Sequence, residues 1–236
     1  MTPPPGPQDV VVARLRGATG LGLVAPHSAR TLPVARLADA AVTGELVAAR
    51  ARALGTAEPR VAATMWWYSA SAVLLAPPLA GLVTGVPLSA RPADLVLSVG
   101  PGGLPVAATS STLGADPGGE LRELLTTVIG AVAGAGGMRE RPLWAIATDS
   151  LATGLLTLGR VLGNVPAVTG LAGRLAAAVG PELPPPRYVD VADSRFVRRA
   201  SCCLVYRLPG GPLCTSCPRR PPAERAALLE RAAGGT

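Results

Sequence analysis

From Val61 to Ala90 the chain runs thirty residues without a charged side chain. About 20 apolar residues suffice to span a bilayer, so a stretch of this length must be buried, either at the centre of a fold or in a membrane. Pro77 and Pro78 fall in its middle, and each lacks the amide N–H that a helix interior uses. Thr, Ser and Gly also recur through it. The pattern therefore predicts a buried core helix, broken at the prolines, rather than a transmembrane span. The rest of the chain can supply the core around it: of 236 residues 49% are hydrophobic but only 3% aromatic, so the packing must be aliphatic. Leu and Ala are good helix formers, which favours a mostly helical fold.

The chain carries a formal net charge of +7, and all 22 basic residues are arginine. Arg, Ala, Gly and Pro share GC-rich codons, so the basicity reads as genome composition. Few aromatics are available to stack on bases, which argues against single-strand nucleic-acid binding. The N-terminus, "MTPPPGPQDVVVARLRG", lacks the basic start and long apolar run of a secretory signal. A cytoplasmic protein is expected, and there a cysteine cluster serves metal binding or catalysis more often than disulfides.

Residues 9–16 read as a short strand, and "LPVARLADAAVTGELVAARARALG" (32–55) as a helix ended by Gly55. Two apolar runs around Gly100-Pro101-Gly102-Gly103 predict a hairpin over 94–109. Asp116-Pro117 starts a helix that carries Leu121, Leu124, Leu125, Val128 and Val132 at helical spacing. Pro142 opens another, with Leu151, Leu155, Leu158 and Leu162 on one face, and 167–179 look like a third. "GPELPPPR" (180–187) reads as an extended linker, because its prolines cannot continue a helix. A last short helix is expected over 222–233. The expected organisation is α+β: a poorly assigned region 1–59, a mainly helical domain 60–186 with an inserted β-hairpin, and a small C-terminal cysteine module 187–236.

All four cysteines lie in that last part, as Cys202-Cys203 and Cys214-x-x-Cys217. A C-x-x-C turn lets two thiolates converge, and it is shared by zinc sites, iron–sulfur sites and thiol redox pairs. The vicinal pair discriminates more. Adjacent residues on extended chain point to opposite faces, so both ligate only across a bend or at separated metal positions. Zinc sites draw on two spaced pairs, whereas a [2Fe–2S] cluster, with two irons, accommodates the pattern more naturally. A structural zinc knuckle and a thiol redox role remain alternatives. The intervening "LVYRLPGGPL" reads as a short strand, a turn and a return that closes the site.

"SCCLVYRLPGGPLCTSCP" is similar to the C-terminal signature of ferric siderophore reductases of the FhuF type. The resemblance is close over about residues 194–218 and looser over 60–160, on "SASAVLLAPPLAGLVTGVPL" and "LWAIATDSLATGLL". It implies a [2Fe–2S] cluster held by Cys202, Cys203, Cys214 and Cys217, and a helical domain that binds the chelate; it carries over no catalytic residue. The activity implied is reduction of siderophore-bound ferric iron to ferrous iron. Without a flavin or nicotinamide site, electrons must come from a separate donor, a ferredoxin or a flavin reductase. The implied location is cytoplasmic, with association at the inner face of the membrane as a peripheral variant. The competing class is a non-catalytic protein: an iron or siderophore binder, an electron carrier, or a structural-metal protein.

Between Asp193 and Glu224 there is no acidic residue but six arginines, Arg195, Arg198, Arg199, Arg207, Arg219 and Arg220. A four-thiolate [2Fe–2S] centre has a formal charge of about −2, or about −3 when reduced, so arginines nearby would raise its potential. Other candidates are weaker. "RGATGLGLV" (16–24) departs from the nucleotide-binding glycine pattern. His27, the sole histidine, reads as a surface loop residue, which argues against a Rieske-type centre. Trp66, Trp67, Tyr68 and Trp144 are expected in the core or at the domain junction, or lining a siderophore pocket. Asp149, in an apolar helix, is expected on the helix surface rather than as a buried functional carboxylate.

Overall fold

The structure is a computed structural model that describes residues 6–234. Helix α1 (Pro7–Arg14) stands where a short strand is expected over 9–16. The Val10–Val12 run suits a strand, but tertiary contacts decide against it: the buried Gln8 amide donates to the carbonyls of Leu23 (2.7 Å) and Ala108 (3.2 Å) and accepts from the Ser110 N–H (2.7 Å). Strand β1 (Arg30–Pro33) and a short 3₁₀ turn at Val34–Ala38 follow. Helix α2 (Ala40–Leu54) therefore begins eight residues later than predicted, at the Asp39 N-cap, and ends as predicted at Gly55 in the left-handed conformation.

Helix α3 (Pro59–Thr84) runs without a break through Pro77 and Pro78, against the expectation of two pieces. The two missing donors leave the helix short of bonds to the carbonyls four residues back. Burial offsets that loss, since Leu74, Leu75, Leu79 and Ala80 around them are each 1% exposed. The helix is long and apolar enough to cross a membrane, yet here it is the central element of the core, packed against α2, β3 and the two long helices that follow.

Strands β2 (Leu95–Val99) and β3 (Pro105–Ser110) form the predicted hairpin, and β1 adds to β2 to give an antiparallel sheet ordered β1-β2-β3. Helices α4 (Pro117–Gly136) and α5 (Arg141–Val161) start within a residue of their predicted signals. The predicted third helix is two, α6 (Val165–Thr169) and α7 (Ala172–Val179), parted around Gly170. Residues 180–187, expected to be extended, first turn, the Leu183 N–H donating to the Gly180 carbonyl at 3.2 Å, and only 184–187 run without a turn. The stretch lies against the body, with Leu183 buried and the Thr148 hydroxyl donating to the Pro184 carbonyl at 3.0 Å. A hairpin of β4 (Tyr188–Val191) and β5 (Ser194–Val197) follows, then the cysteine segment and α8 (Pro222–Gly234).

One apolar core gathers residues from Val11 to Leu183, so the unassigned first 59 residues contribute α1, β1 and α2 to the same interior. Trp66, Trp67 and Trp144 lie in it as expected, with the Trp66 and Trp67 indole N–H groups donating to the carbonyls of Gly103 and Leu143. The architecture is the predicted one: mostly helical, with a small antiparallel sheet and a C-terminal cysteine segment.

Candidate metal centre

Hairpin β4–β5 rests on α5: the Tyr188 hydroxyl donates to the Ala152 carbonyl at 3.0 Å, and Arg160 donates to the Arg195 carbonyl at 2.8 Å. The chain leaving β5 therefore passes the middle of α5. It turns there because Asp149 of α5, 3% exposed, takes up its amides. The carboxylate accepts from the N–H groups of Ala200 (2.8 Å) and Ser201 (2.9 Å) and from the Ser201 hydroxyl (2.5 Å). The expectation of a surface Asp149 is thus wrong. A buried carboxylate survives only with such a full set of donors.

Cys202 and Cys203 come immediately after this anchor. The expected strand and return over 204–213 do not form. Instead Leu204 adopts a left-handed φ of 62°, Val205–Arg207 make a single 3₁₀ turn, and the Gly211 N–H closes on the Leu208 carbonyl at 2.9 Å. Pro209 and Pro212 can donate no ladder bonds. The fold-back is so tight that a Cβ at Gly211 would lie 1.9 Å from the Val205 carbonyl oxygen. The ends of the ten-residue gap still meet, as the sequence predicts, by a compact loop rather than a hairpin. At its far end the Cys217 N–H donates to the Cys214 carbonyl at 3.1 Å, the expected C-x-x-C turn.

The thiols come together as a chain. Cys202 and Cys214 each interact directly with Cys217, and Cys203 lies within electrostatic reach of both. Burial pushes the Cys202 and Cys214 thiols above their ordinary range; the Leu204 backbone opposes this at Cys202, and Arg199 opposes it at Cys214. Among the described residues no three metal-ligating side chains converge on one ion position. Four thiols gathered from a vicinal pair and a C-x-x-C turn form a donor set that the two irons of a [2Fe–2S] cluster can share.

Arg199 joins this group to the helical body. Its side chain is 8% exposed, its Nη1 donates to the Cys214 Sγ at 3.3 Å, and its Nε lies 3.5 Å from Asp149 Oδ2. The guanidinium also stacks on Tyr68 of α3, 4.7 Å from the ring centroid. Burial alone would lower the Arg199 pKa, but Tyr68, Cys214, Asp149 and Cys203 together raise it, so the charge is held. Its Nε and Nη2 are buried without a hydrogen-bond partner. A buried Nη2 without a hydrogen bond, on a guanidinium that already donates to a thiol, suits an anionic thiolate-bound cluster at that place.

Only Arg199 of the six candidate arginines touches a thiol. Arg220 holds the C-x-x-C turn from outside, donating to the carbonyls of Cys214 (2.9 Å) and Leu213 (2.6 Å) and pairing with Glu224. Arg195 pairs with Asp190, Arg207 with Glu58, and Arg219 stacks on Tyr206. Arg198 faces a groove under α8. His27 is exposed in a turn, as expected. Tyr68 also lines a cavity of about 170 Å³ between α3 and α5, too small for a siderophore. The residues that the sequence undervalues are Asp149 and Tyr68. Asp149 had a signal, since it is the sole charge between Arg141 and Arg160.

The family model of the FhuF 2Fe-2S C-terminal domain matches residues 199–219. The matched span opens on Arg199, ends on Arg219 and contains all four cysteines. No curated protein matches the chain. The cofactor indicated is a [2Fe–2S] cluster, and the chain is an iron–sulfur protein whose matched domain points to siderophore iron handling.

Proposed function

We propose that this protein reduces siderophore-bound ferric iron to ferrous iron, with Cys202, Cys203, Cys214 and Cys217 as the ligands of its [2Fe–2S] cluster. The observation that carries the reading is the meeting, inside the matched segment, of four thiols with a buried arginine that donates to Cys214 and whose Nη2 makes no hydrogen bond. When bound, the cluster supplies a one-electron couple. Oxygen donors of hydroxamates and catecholates hold ferric ion strongly and ferrous ion far more weakly, so one electron suffices for release.

The chain's own residues would set the conditions for that step. Arg199 places positive charge against Cys214 and favours the more negative reduced state. Asp149 keeps Arg199 in place and fixes the backbone beside Cys202. The helical part, residues 60–186, would orient the chelate beside the module 187–236. The proposal includes a separate electron donor, a ferredoxin or flavin reductase, and a cytoplasmic location with at most peripheral attachment to the membrane.

The test mixes anaerobically reduced protein with ferric trihydroxamates and tricatecholates in the presence of a ferrous chelator. Bleached absorption should return as one ferrous complex forms per reoxidised cluster. Indifference to every ferric chelate, combined with ready electron transfer to another protein, would make the chain an electron carrier and overturn the reading.

A further inference from the structure

We propose that a cationic groove at Cys202 is the seat of the ferric chelate and that it selects anionic chelates over neutral or cationic ones. This rests on the reading of the chain as a ferric-chelate reductase, and adds the place and charge class of its substrate.

The groove encloses about 400 Å³ where the first turns of α3 and α5 meet the cysteine segment. Arg60, Arg141 and Arg219 line it together with Cys202, and Met138 and Ile146 supply apolar wall. Among the described residues none of the three arginines forms an ion pair. No carboxylate lines the groove. The nearest acids along the chain are engaged elsewhere, Glu58 with Arg207 and Glu140 with the Trp144 indole N–H. Helices α3 and α5, 26 and 21 residues long, both begin at the groove. Each brings a partial positive charge of about +0.5 to its N-terminus. Glu58 and Glu140 are the N-caps of these helices and offset part of the dipole charge, so the three unpaired guanidiniums supply most of the attraction for a multiply charged anion.

The other recesses fit less well. The cavity beside Tyr68 has no ionic lining; the groove under α8 has four arginines, Arg187, Arg198, Arg199 and Arg225, but it also contains the Glu230 carboxylate, and no cysteine lines it. Of these three recesses, the Cys202 groove is the one lined directly by a proposed cluster ligand and free of carboxylates, with three arginines beside it. Its concave form and volume are those of a small-molecule site, roughly 300–1,000 Å³, rather than of a docking face for a protein. The electron count is simple. One electron, delivered earlier to the protein by its external one-electron donor, moves to the ferric ion held in the groove. The iron becomes ferrous, the chelator's freed oxygens take protons from solvent, and no covalent bond to the protein forms or breaks.

The experiment separates binding from reduction by using gallium(III), which copies ferric charge and size but accepts no electron. Cluster-loaded full-length protein is titrated with the gallium complex of a tricatecholate, a triple anion, and with that of an amine-bearing trihydroxamate, a cation. The anion should bind more tightly at low salt, and the gap should narrow as salt rises. Arg60→Gln, Arg141→Gln and Arg219→Gln should each weaken anion binding roughly three- to tenfold while the visible spectrum shows the cluster retained. Arg174→Gln, on α7, should leave it unchanged. Equal affinity for the two complexes, or arginine variants that bind like the wild type, would overturn the proposal. So would variants that keep chelate affinity but are reduced more slowly by an acidic donor protein, because the groove would then dock the donor. The reductase reading fails separately, if the groove binds the gallium complex as described while the reduced protein passes no electron to the matching ferric complex.

Discussion

The helical body and the cysteine segment are held by opposite means. In the body, long helices bury aliphatic faces around α3, and even two consecutive prolines inside that helix are tolerated because packing outweighs the lost backbone bonds. From Ala200 to Pro221 no strand and only one 3₁₀ turn forms. Cys217 and Ser201 are its buried residues, and its shape depends on charged side chains, Asp149 and Arg199 on one side and Arg220 on the other. A region fixed by apolar area loses stability gradually when it is trimmed. A region fixed by a few ionic hydrogen bonds and a metal group should fail when one of them is removed.

The largest break in that comparison should come from the thiols. Each of Cys202→Ser, Cys203→Ser, Cys214→Ser and Cys217→Ser should abolish the red-brown chromophore, while far-UV circular dichroism stays close to that of the wild type because the body does not rest on the cluster. Asp149→Ala should come next. It leaves the buried Arg199 charge without its carboxylate and the amides of Ala200 and Ser201 without an acceptor, a loss of about 3–5 kcal/mol. The readouts are a lowered midpoint in denaturant and faster loss of iron to a chelator. Asp149→Asn, which keeps an acceptor but not the charge, should recover part of the loss. An Asp149→Ala protein that keeps wild-type cluster lifetime would show that the segment holds itself.

The same contrast explains what could be read in the sequence. The body followed its periodicity: α4 and α5 begin at Asp116-Pro117 and beside Pro142, and the hairpin sits around Gly100–Gly103. Its errors are cases where distant partners outvote local preference, as when Gln8 pulls a β-branched run into α1 or burial carries α3 past its prolines. In the cysteine segment the gathering of the thiols and the closing of the loop were legible, because they depend on chemistry and chain length. The loop's route was not, since a left-handed leucine at 204 and the contact of Gly211 with Val205 have no periodic signature. Asp149 lies 53 residues before Cys202 by numbering, and only the fold shows that α5 brings it there.

Arg199 sharpens the comparison without breaking the segment. Arg199→Gln removes the cation against Cys214 but preserves polarity and approximate size, so the cluster should still assemble. Its midpoint potential should fall by on the order of tens of millivolts, up to about one 59-mV decade for a one-electron couple. Arg199→Lys should fall between, since an ammonium restores charge but not the planar stack on Tyr68. Spectroelectrochemistry measures this directly. A potential unchanged in both variants would mean that Arg199 only braces the loop.

The smallest effect concerns the tether between the two regions. Tyr188 of β4 donates its hydroxyl to the Ala152 carbonyl on α5, and burial pushes its pKa up to about 12, against a smaller opposing pull from Arg195. The protonated form is therefore the one the fold favours. Stability from this raised pKa is fully present below the ordinary tyrosine value near 10 and is lost as pH rises through about 12, when the native hydroxyl also ionises and can no longer donate. Tyr188 is only half-buried, so solvent screening reduces the effect to about 1 kcal/mol. Denaturant midpoints of the apoprotein measured from pH 9 upward should decline more steeply for the wild type than for Tyr188→Phe, which has no proton to lose. Parallel curves would show that the hairpin is held on α5 by the remaining contacts, chief among them the bond from Arg160 to the Arg195 carbonyl.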